Sequence, residues 1–238
     1  MPKARVFGGE EVDYVEVHDE PIHRQQFSND YCRIYVAGFR PGETSLWHRH
    51  SENTLYVCVH HSCSALNRPS DKEPFMHHAS VGDLWWALSR NAPYVHQVSF
   101  PIENVHNSHF FAMEFLRQAP LLAHRPFEHP CYQLRQEDSR PGIARVYDLK
   151  LDPKEPTGHH VLNFCGIILC LESFDETTLE AANASDPFHD GVLSRPGGYK
   201  WFDGPVEVDV RNTSDCLYLA LVVEWIGKSE PVDGISKL

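Results

Sequence analysis

The sequence repeats itself once, with an offset of 112 residues between the two copies. Arg33-Ile34-Tyr35 in the first copy aligns with Arg145-Val146-Tyr147 in the second. The other matched positions are Pro41 with Pro153, Glu43 with Glu155, His48 with His160, and Pro93 with Pro205. Late apolar segments of the two copies also end alike, in Met113-Glu114-Phe115 and Val223-Glu224-Trp225. Two copies of about 110 residues predict two similar domains, or the two halves of one pair of barrels.

Within each copy, short apolar or alternating segments favour β-strands. These segments are residues 31–39, 54–59, 94–100, 108–116, 144–151, 164–171, 206–210 and 215–226. Seventeen prolines and fourteen glycines separate them, as short strands with tight connections require. A helix is expected only from Asp175 to Asn183. We predict an all-β chain with an N-terminal barrel at 1–118, a Pro-rich linker at 119–142, and a C-terminal barrel at 143–238.

The composition narrows the class of partner. The net charge is −12, whereas nucleic acid and anionic lipid both attract clustered lysine and arginine. No stretch approaches the ~20 apolar residues that cross a bilayer, and residues 1–10 contain no apolar run typical of a secretory leader. We therefore expect neither nucleic acid nor a membrane as a partner. The protein could be a monomer or a homodimer.

A histidine pattern in the first copy predicts a metal site. His48-Arg49-His50 follows Pro41-Gly42-Glu43, and His96 stands alone further along. Two histidines at i and i+2 of a strand point to the same face, so a third from a neighbouring strand could complete a three-histidine site with open positions. The chain has sixteen histidines, so the alternative is a chance pair that faces solvent or is hydrogen-bonded.

These segments resemble the motifs of the cupin family. The first motif stands here as Asn29-Asp30-Tyr31-Cys32-Arg33-Ile34 followed by Pro41-Gly42-Glu43 and His48-Arg49-His50. The second stands as Gly82-Asp83-Leu84-Trp85, then Pro93-Tyr94-Val95-His96-Gln97-Val98 and Asn104. The resemblance covers most of the chain, closely in the first copy and loosely in the second. It implies a bicupin, two tandem jelly-roll β-barrels with a divalent metal in one or both.

Two departures from the cupin pattern affect the expected ligands. The family places a glutamate four or five residues after the second histidine, but Thr54 and Leu55 occupy those positions. Glu52 is nearer, and strand alternation would put its side chain on the His50 face, so it is a candidate fourth ligand, and a site of three histidines is the alternative. The second copy has Leu162 and Val208 where the first has His50 and His96, and we expect it to lack a metal.

Other polar residues near the motifs are candidates for catalysis. Tyr56 and Tyr94 could donate or accept a proton at a bound ligand. Arg33 could clamp a substrate carboxylate in bidentate fashion. The alternative for Arg33 is structural, because Arg145 occupies the equivalent position in the copy expected to lack metal. A buried ion pair between Arg33 and Glu114 would be one such role.

Several functions are compatible with this site. Imidazole ligands suit Fe(II), which we favour, and also Mn, Ni, Cu or Zn. A three-histidine iron site is similar to that of thiol dioxygenases, so the leading hypothesis is a metal-dependent oxygenase acting on a small molecule. A lyase or isomerase that uses the metal as a Lewis acid is a second possibility. A non-catalytic small-molecule-binding or structural bicupin is a third, and a ligand held in the second copy near Arg145, His160 and Trp201 a fourth.

The last three residues are Ser236-Lys237-Leu238. This tripeptide is the address that the peroxisomal import receptor binds. In a eukaryote it predicts delivery to a peroxisome or related organelle. In a bacterium it would carry no meaning, and the cytoplasm is then expected.

Overall fold

The computed structural model describes residues 1–104, 107–172 and 179–227. The chain forms two compact units, and the boundary along the sequence lies between Leu116 and Arg117. Apart from two short 3-10 helices, Val17–Asp19 and Val192–Ser194, the regular elements in the described part are β-strands, which confirms the all-β prediction. None of the described helices is long and apolar enough to span a membrane. The terminal Ser236-Lys237-Leu238 lies outside the described residues.

The first unit contains twelve strands in its described part. They are β1 Lys3–Arg5, β2 Glu11–Asp13, β3 Val15–Glu16, β4 His23–Ser28, β5 Cys32–Phe39, β6 His48–His50, β7 Asn53–Cys58, β8 Ser62–Asn67, β9 Phe75–Ala79, β10 Leu84–Leu88, β11 Tyr94–Ser99 and β12 Ser108–Phe115. One five-stranded sheet has the order β10-β7-β12-β5-β4, and the other has the order β3-β6-β11-β8-β9. Neighbours pair antiparallel except for β3 with β6. Two such sheets enclosing one interior are the architecture of a jelly-roll barrel.

The second unit contains nine strands in its described part. They are β13 Tyr132–Leu134, β14 Ala144–Leu151, β15 His160–Leu162, β16 Gly166–Glu172, β17 Leu179–Ala181, β18 Tyr199–Phe202, β19 Val206–Val208, β20 Val210–Asn212 and β21 Tyr218–Trp225. Its main sheet has the order β18-β16-β21-β14-β13, which repeats the order β10-β7-β12-β5-β4 of the first unit. Two strand pairs, β15-β19 and β17-β20, stand where the first unit has its second sheet.

The repeat also extends to individual hydrogen bonds. The Glu43 carboxylate accepts the backbone N–H of Arg40, and Glu155 accepts that of Asp152 in the same way. The ring of His48 donates through Nδ1 to the carbonyl of Leu46, 2.8 Å away. The ring of His160 makes the same bond to Gly158, also at 2.8 Å. The sequence repeat therefore corresponds to a structural repeat.

Two expectations differ from the structure. The stretch 119–142 is not a free linker, because β13 lies within it and pairs with β14 as an edge strand of the second unit. The helix expected at 175–183 is wrong for its described part, since β17 forms there and pairs with β20. The hydrogen bonds between β17 and β20 outweigh the helix propensity of the residues in this segment. Residues 173–178 lie outside the described residues.

The two units fill their interiors differently. In the second unit, Leu162, Phe164 and Val208 are fully buried members of a large apolar cluster that also includes Tyr218 and Val222. In the first unit, smaller clusters surround a cavity, one around Phe39 and Phe100 and another around Tyr35 and Tyr56. Apolar side chains, Leu162 and Val208, thus occupy in the second unit two of the positions where the first unit has histidines, whereas His160 is kept.

Candidate metal centre

The three histidines singled out in the sequence come together inside the first unit. His48 and His50 lie on β6, and His96 lies opposite His48 on the neighbouring strand β11. All three are buried. The His96 ring centroid is 4.4 Å from that of His48 and 4.9 Å from that of His50. Alternation on β6 and antiparallel register with β11 thus produce the predicted cluster.

A fourth histidine, His23, joins the cluster and was missed by the sequence analysis. It begins β4 and is buried, with its ring centroid 4.6 Å from that of His48 and 5.9 Å from that of His50. Ligand nitrogens of His23, His48 and His50 all lie within 4.8 Å of one another. His23 precedes the repeated segments and belongs to no recognised spacing, so the sequence offered no signal for it.

Hydrogen bonds fix the orientation of two of these rings. The buried Glu20 carboxylate accepts the Nδ1–H of His23 at 2.8 Å and the backbone N–H of Leu46 at 3.1 Å. Nδ1 of His48 donates to the Leu46 carbonyl. A carboxylate or carbonyl can only accept, so in both rings the proton sits on Nδ1 and Nε2 carries the lone pair that could bind a metal. A carboxylate behind a ligating histidine is a common arrangement at metal sites.

The nitrogen positions fit a divalent metal. Nε2 of His96 lies 2.8 Å from Nε2 of His48. Two nitrogens bound at right angles to one ion, with bonds of 2.0–2.1 Å, would be about 2.9 Å apart. Nδ1 of His96 is buried and has no hydrogen-bond partner among the described residues. The polar contact of this ring is therefore made by its other nitrogen, Nε2, with Nε2 of His48. Four neutral imidazoles are a donor set that Fe, Ni, Cu and Zn accept.

Burial favours the uncharged form of three of the imidazoles. It lowers the pKa of His48 to about 3, with a further contribution from His23. Burial and the neighbouring imidazoles also hold the pKa values of His50 and His96 well below the usual value. For Glu20, burial acts to raise the pKa, but the hydrogen bonds from His23 and Leu46 and the nearby imidazoles together lower it. The site thus combines neutral rings at His48, His50 and His96 with a carboxylate whose ionised form is favoured.

These pKa shifts predict a loss of stability on acidification. Buried histidines with lowered pKa values bind fewer protons in the folded than in the unfolded chain, so the stability that they contribute is complete above pH 6.5 and falls below it. We expect each such histidine to cost about 1.4 kcal/mol of unfolding free energy per pH unit below 6.5. Urea unfolding of chelator-treated protein between pH 7.5 and 5.5 measures the slope.

The contribution of one histidine can be measured with two variants. His48→Gln should reduce the slope by about 1.4 kcal/mol per pH unit, whereas replacing the exposed His18 by glutamine should leave it unchanged. An unfolding free energy that stays constant or increases as the pH falls would contradict the prediction.

Glu52 does not join the cluster. Strand β6 ends at His50 and β7 begins at Asn53, so Glu52 lies in the connection, where strand alternation no longer sets the direction of its side chain. Its carboxylate instead pairs with the guanidinium of Arg90, which also donates to the Phe115 carbonyl at 2.6 Å. The expectation of Glu52 as a fourth ligand is therefore not supported, and the further polar side chain beside the cluster is that of His23.

Arg33 has the structural role that was the alternative to catalysis, an ion pair with Glu114. Its Nη1 lies 3.0 Å from the Tyr35 hydroxyl and 3.4 Å from the Glu114 carboxylate, to which it is paired across β5 and β12. The second unit repeats this arrangement, with Arg145 paired to Glu224. Arg33 is not among the residues lining the cavity beside the histidines. The cross-strand register thus directs its guanidinium to Glu114, and a role as a substrate clamp is not supported.

A cavity of about 490 Å³ opens beside the cluster, and His23 and His96 form part of its wall. Most other lining residues are aromatic or aliphatic, and Tyr56 and Tyr94 are among them. The Tyr56 hydroxyl lies 3.1 Å from Nδ1 of His50, and the Tyr94 ring stacks on His50 at 5.5 Å. Burial raises the pKa of Tyr94 to about 12. Both phenols are therefore neutral at physiological pH and can donate a proton at the cavity wall.

The second unit lacks the equivalent cluster in its described part. His160 donates to Gly158 as His48 does to Leu46, but its Nε2 meets the Tyr132 hydroxyl at 3.0 Å. Leu162 and Val208 are fully buried where the other two ligands would stand. The fourth possibility, a ligand near Arg145, His160 and Trp201, is not supported. Arg145 is paired with Glu224, and the Trp201 ring donates to Asp203 at 2.7 Å.

Comparison with known proteins identifies the fold. No protein-family model matches the sequence, and no curated protein matches it. Among solved structures, AerE from Microcystis aeruginosa is similar at 12% identity, covering 87% of this chain and 98% of that one, with a TM-score of 0.54. The Bacillus subtilis oxalate decarboxylase, described with Mn(II) centres, is similar at 11% identity, covering 84% and 70%, with a TM-score of 0.52. The Lactobacillus farciminis oxalate decarboxylase is similar at 8% identity, covering 87% and 84%, also with a TM-score of 0.52.

Proposed function

We propose that this chain, which has the bicupin fold of two tandem cupin barrels, is a metal-dependent enzyme whose N-terminal barrel acts on a small molecule. The observation that carries the proposal is a buried group of imidazoles: ligand nitrogens of His23, His48 and His50 lie within 4.8 Å of one another, and Nε2 of His96 lies 2.8 Å from that of His48. Two of these buried rings, His23 and His96, line a cavity. A concave, mostly apolar cavity with a few convergent polar groups is the usual form of a ligand site. The filled second barrel would then serve as a structural partner.

The reaction that we favour is an oxygenation with Fe(II). The four donors are neutral imidazoles, which suit Fe, Ni, Cu and Zn, whereas Mn favours carboxylate ligands and the nearby Glu52 is engaged by Arg90. Bound iron would supply redox chemistry and a site for substrate and O₂. The absence of a carboxylate from the donor set is therefore our reason to favour Fe(II) over Mn(II).

The protein's own residues would orient the ligands and move a proton. The hydrogen bonds of Glu20 and Leu46 hold the Nε2 atoms of His23 and His48 in the direction of the cluster. With Nε2 of His50 on the metal, its Nδ1–H would donate to the Tyr56 hydroxyl, and Tyr56 in turn would donate to Tyr94. This series of hydrogen bonds ends at Tyr94 in the cavity wall, so Tyr94 is the group that we assign to proton transfer with substrate.

A lyase is the second candidate, and similarity of fold to two oxalate decarboxylases favours it. In that reaction a divalent metal would act as a Lewis acid on a carboxylate substrate. The fold alone does not decide between these reactions, because one fold supports many. Dependence on O₂ distinguishes them, since an oxygenase consumes it in stoichiometric amount.

Metal content is the measurement that tests the proposal. We expect wild-type protein, purified without a chelator or a metal-binding tag, to contain close to one equivalent of one transition metal by mass spectrometry. The His48→Ala/His50→Ala protein should contain less than a tenth of that amount. The matched control is His160→Ala, which alters the equivalent histidine of the second barrel and should leave the metal content unchanged. Metal-free wild type, even after incubation with Fe(II), Mn, Ni and Zn, would refute the proposal.

A further inference from the structure

The walls of the cavity are flat and aromatic. The ring of Trp85 stacks on that of Tyr56, with centroids 5.3 Å apart and planes 7° from parallel, and Phe110 meets Trp85 edge-on at 5.3 Å. Phe75 on β9 is 53% exposed and also lines the cavity, so it lies at the mouth. Strands β9 and β10 are edge strands of the two sheets, and the cavity is bounded by both. Aromatic surfaces of this kind bind flat apolar groups.

The charge of the cavity differs from that of the chain. Although the chain carries 33 acidic residues, no Asp or Glu is among the described residues lining the cavity, and Arg68 is its one guanidinium. Arg68 follows β8, and its Nε donates to Asp71 at 2.8 Å while its side chain remains 48% exposed. That bond anchors the guanidinium through Nε, and its terminal nitrogens make no hydrogen bond to the residues that the structure describes. A bound cation would have no carboxylate partner here, whereas a bound anion would have Arg68.

Arg68 lines the same cavity as Tyr94 and His96, so it shares one enclosed space with the proposed reaction site. The same cavity therefore has three distinct parts: the imidazoles at one side, the aromatic walls, and an anchored cation. A cavity of about 490 Å³ is in the size range of sites that enclose ligands much larger than oxalate.

We infer that the ligand of this cavity is a flat, apolar ring compound that carries one carboxylate, with the ring between the aromatic walls and the carboxylate on Arg68. The inference rests on the proposed function in taking the imidazole cluster as the reacting end. It goes further by assigning Arg68, Trp85 and Phe75 to substrate selection. A carboxylate at a guanidinium makes a bidentate pair, and this geometry selects against the corresponding alcohol.

Binding of three related probes tests the inference without requiring turnover. Naphthoate, naphthalenemethanol and octanoate separate the contribution of the ring from that of the charge. Isothermal titration should show naphthoate binding about tenfold more tightly than naphthalenemethanol and more tightly than octanoate. The Arg68→Gln protein should lose the advantage of naphthoate over the alcohol, while its affinity for the alcohol stays unchanged. Arg68→Lys should retain part of that advantage, and Arg24→Gln, on the outer strand β4 and away from this cavity, should retain all of it.

The outcomes separate this inference from the proposed function. Each titration is made on chelator-treated and on metal-reconstituted protein, and the metal content of each sample is measured. Binding that depends on Arg68 in a protein that takes up no metal would support the ligand class and refute the enzyme. One equivalent of metal together with equal affinity of wild type and Arg68→Gln for naphthoate would overturn the ligand class alone. Octanoate binding as tightly as naphthoate, or no binding of any probe, would also overturn it.

Discussion

Replacing His23 by alanine is expected to weaken metal binding more than about 100-fold, because it removes one of the three donor nitrogens, those of His23, His48 and His50, that lie within 4.8 Å of one another. Removing a residue that only orients a metal ligand typically weakens metal binding by about 10–100-fold. Removing a ligand itself should have a larger effect. Glu20→Gln should show the smaller loss of metal affinity in the same protein, because Glu20 accepts the Nδ1–H of His23 and so orients this ring. Competition with a chromophoric chelator measures both affinities.

The matched control for His23 is Glu52. It is the residue that strand alternation favoured as the fourth ligand, and the structure pairs it with Arg90 instead. Glu52→Ala should therefore keep the affinity of the wild type within a few-fold. His23→Gln serves as a second variant, because it leaves a polar partner for the buried Glu20 carboxylate. Metal binding that survives in both His23 variants and disappears in Glu52→Ala would restore the three-histidine, one-glutamate assignment.

The repeat explains which parts of the fold were predictable from the sequence. Arg33 and Arg145 recur at the same offset because each occupies the same place in an equivalent sheet, paired to Glu114 and Glu224. The two-residue period of a strand likewise allowed His48 and His50 to be placed on one face. Features that follow from a period or a duplicated position were thus accessible, including the all-β class and the loss of ligands in the second copy.

The features that were not predictable depend on contacts distant in sequence. His23 joins the site through the pairing of β4 with β5, and no local pattern in the sequence marks that pairing. Glu52 is withdrawn from the site by Arg90, whose position depends on the connection after β10. The segment 179–181 forms a strand because β20 is available as a partner. In each case a tertiary interaction decided an outcome on which local propensity was silent or misleading.

Replacing Glu224 by glutamine is expected to destabilise the second unit by about 3 kcal/mol, the lower end of the cost of breaking a buried ion pair. The Glu224 side chain is 1% exposed, and it accepts hydrogen bonds from Arg145 at 2.5 Å and from the Tyr147 hydroxyl at 2.6 Å. Burial raises the pKa of the Glu224 carboxyl, while its bonds to Tyr147 and Arg145 oppose the rise. Distances this short are typical of bonds to an ionised carboxylate. Its neutral replacement leaves the Arg145 guanidinium, which is 20% exposed, without a counter-charge.

The equivalent change in the first unit, Glu114→Gln, is expected to cost only about 1 kcal/mol, in the range of exposed pairs. Arg33 and Tyr35 lie further from this carboxylate, at 3.4 Å and 3.5 Å, and the Arg33 side chain is 27% exposed. Burial also raises the pKa of Glu114 to about 7, so the group is substantially neutral at that pH and glutamine resembles it.

Hydrogen exchange resolves the two effects, because peptides from β14 and β21 report on the second unit and those from β5 and β12 on the first. An Arg145→Met/Glu224→Met protein should recover most of the stability lost in Glu224→Gln, since no unpaired charge remains in it. Recovery would show that the cost came from the unpaired guanidinium rather than from the loss of an attraction. Equal destabilisation by the single glutamine variants of the two units would mean that the shorter contacts of the second unit do not make its ion pair stronger.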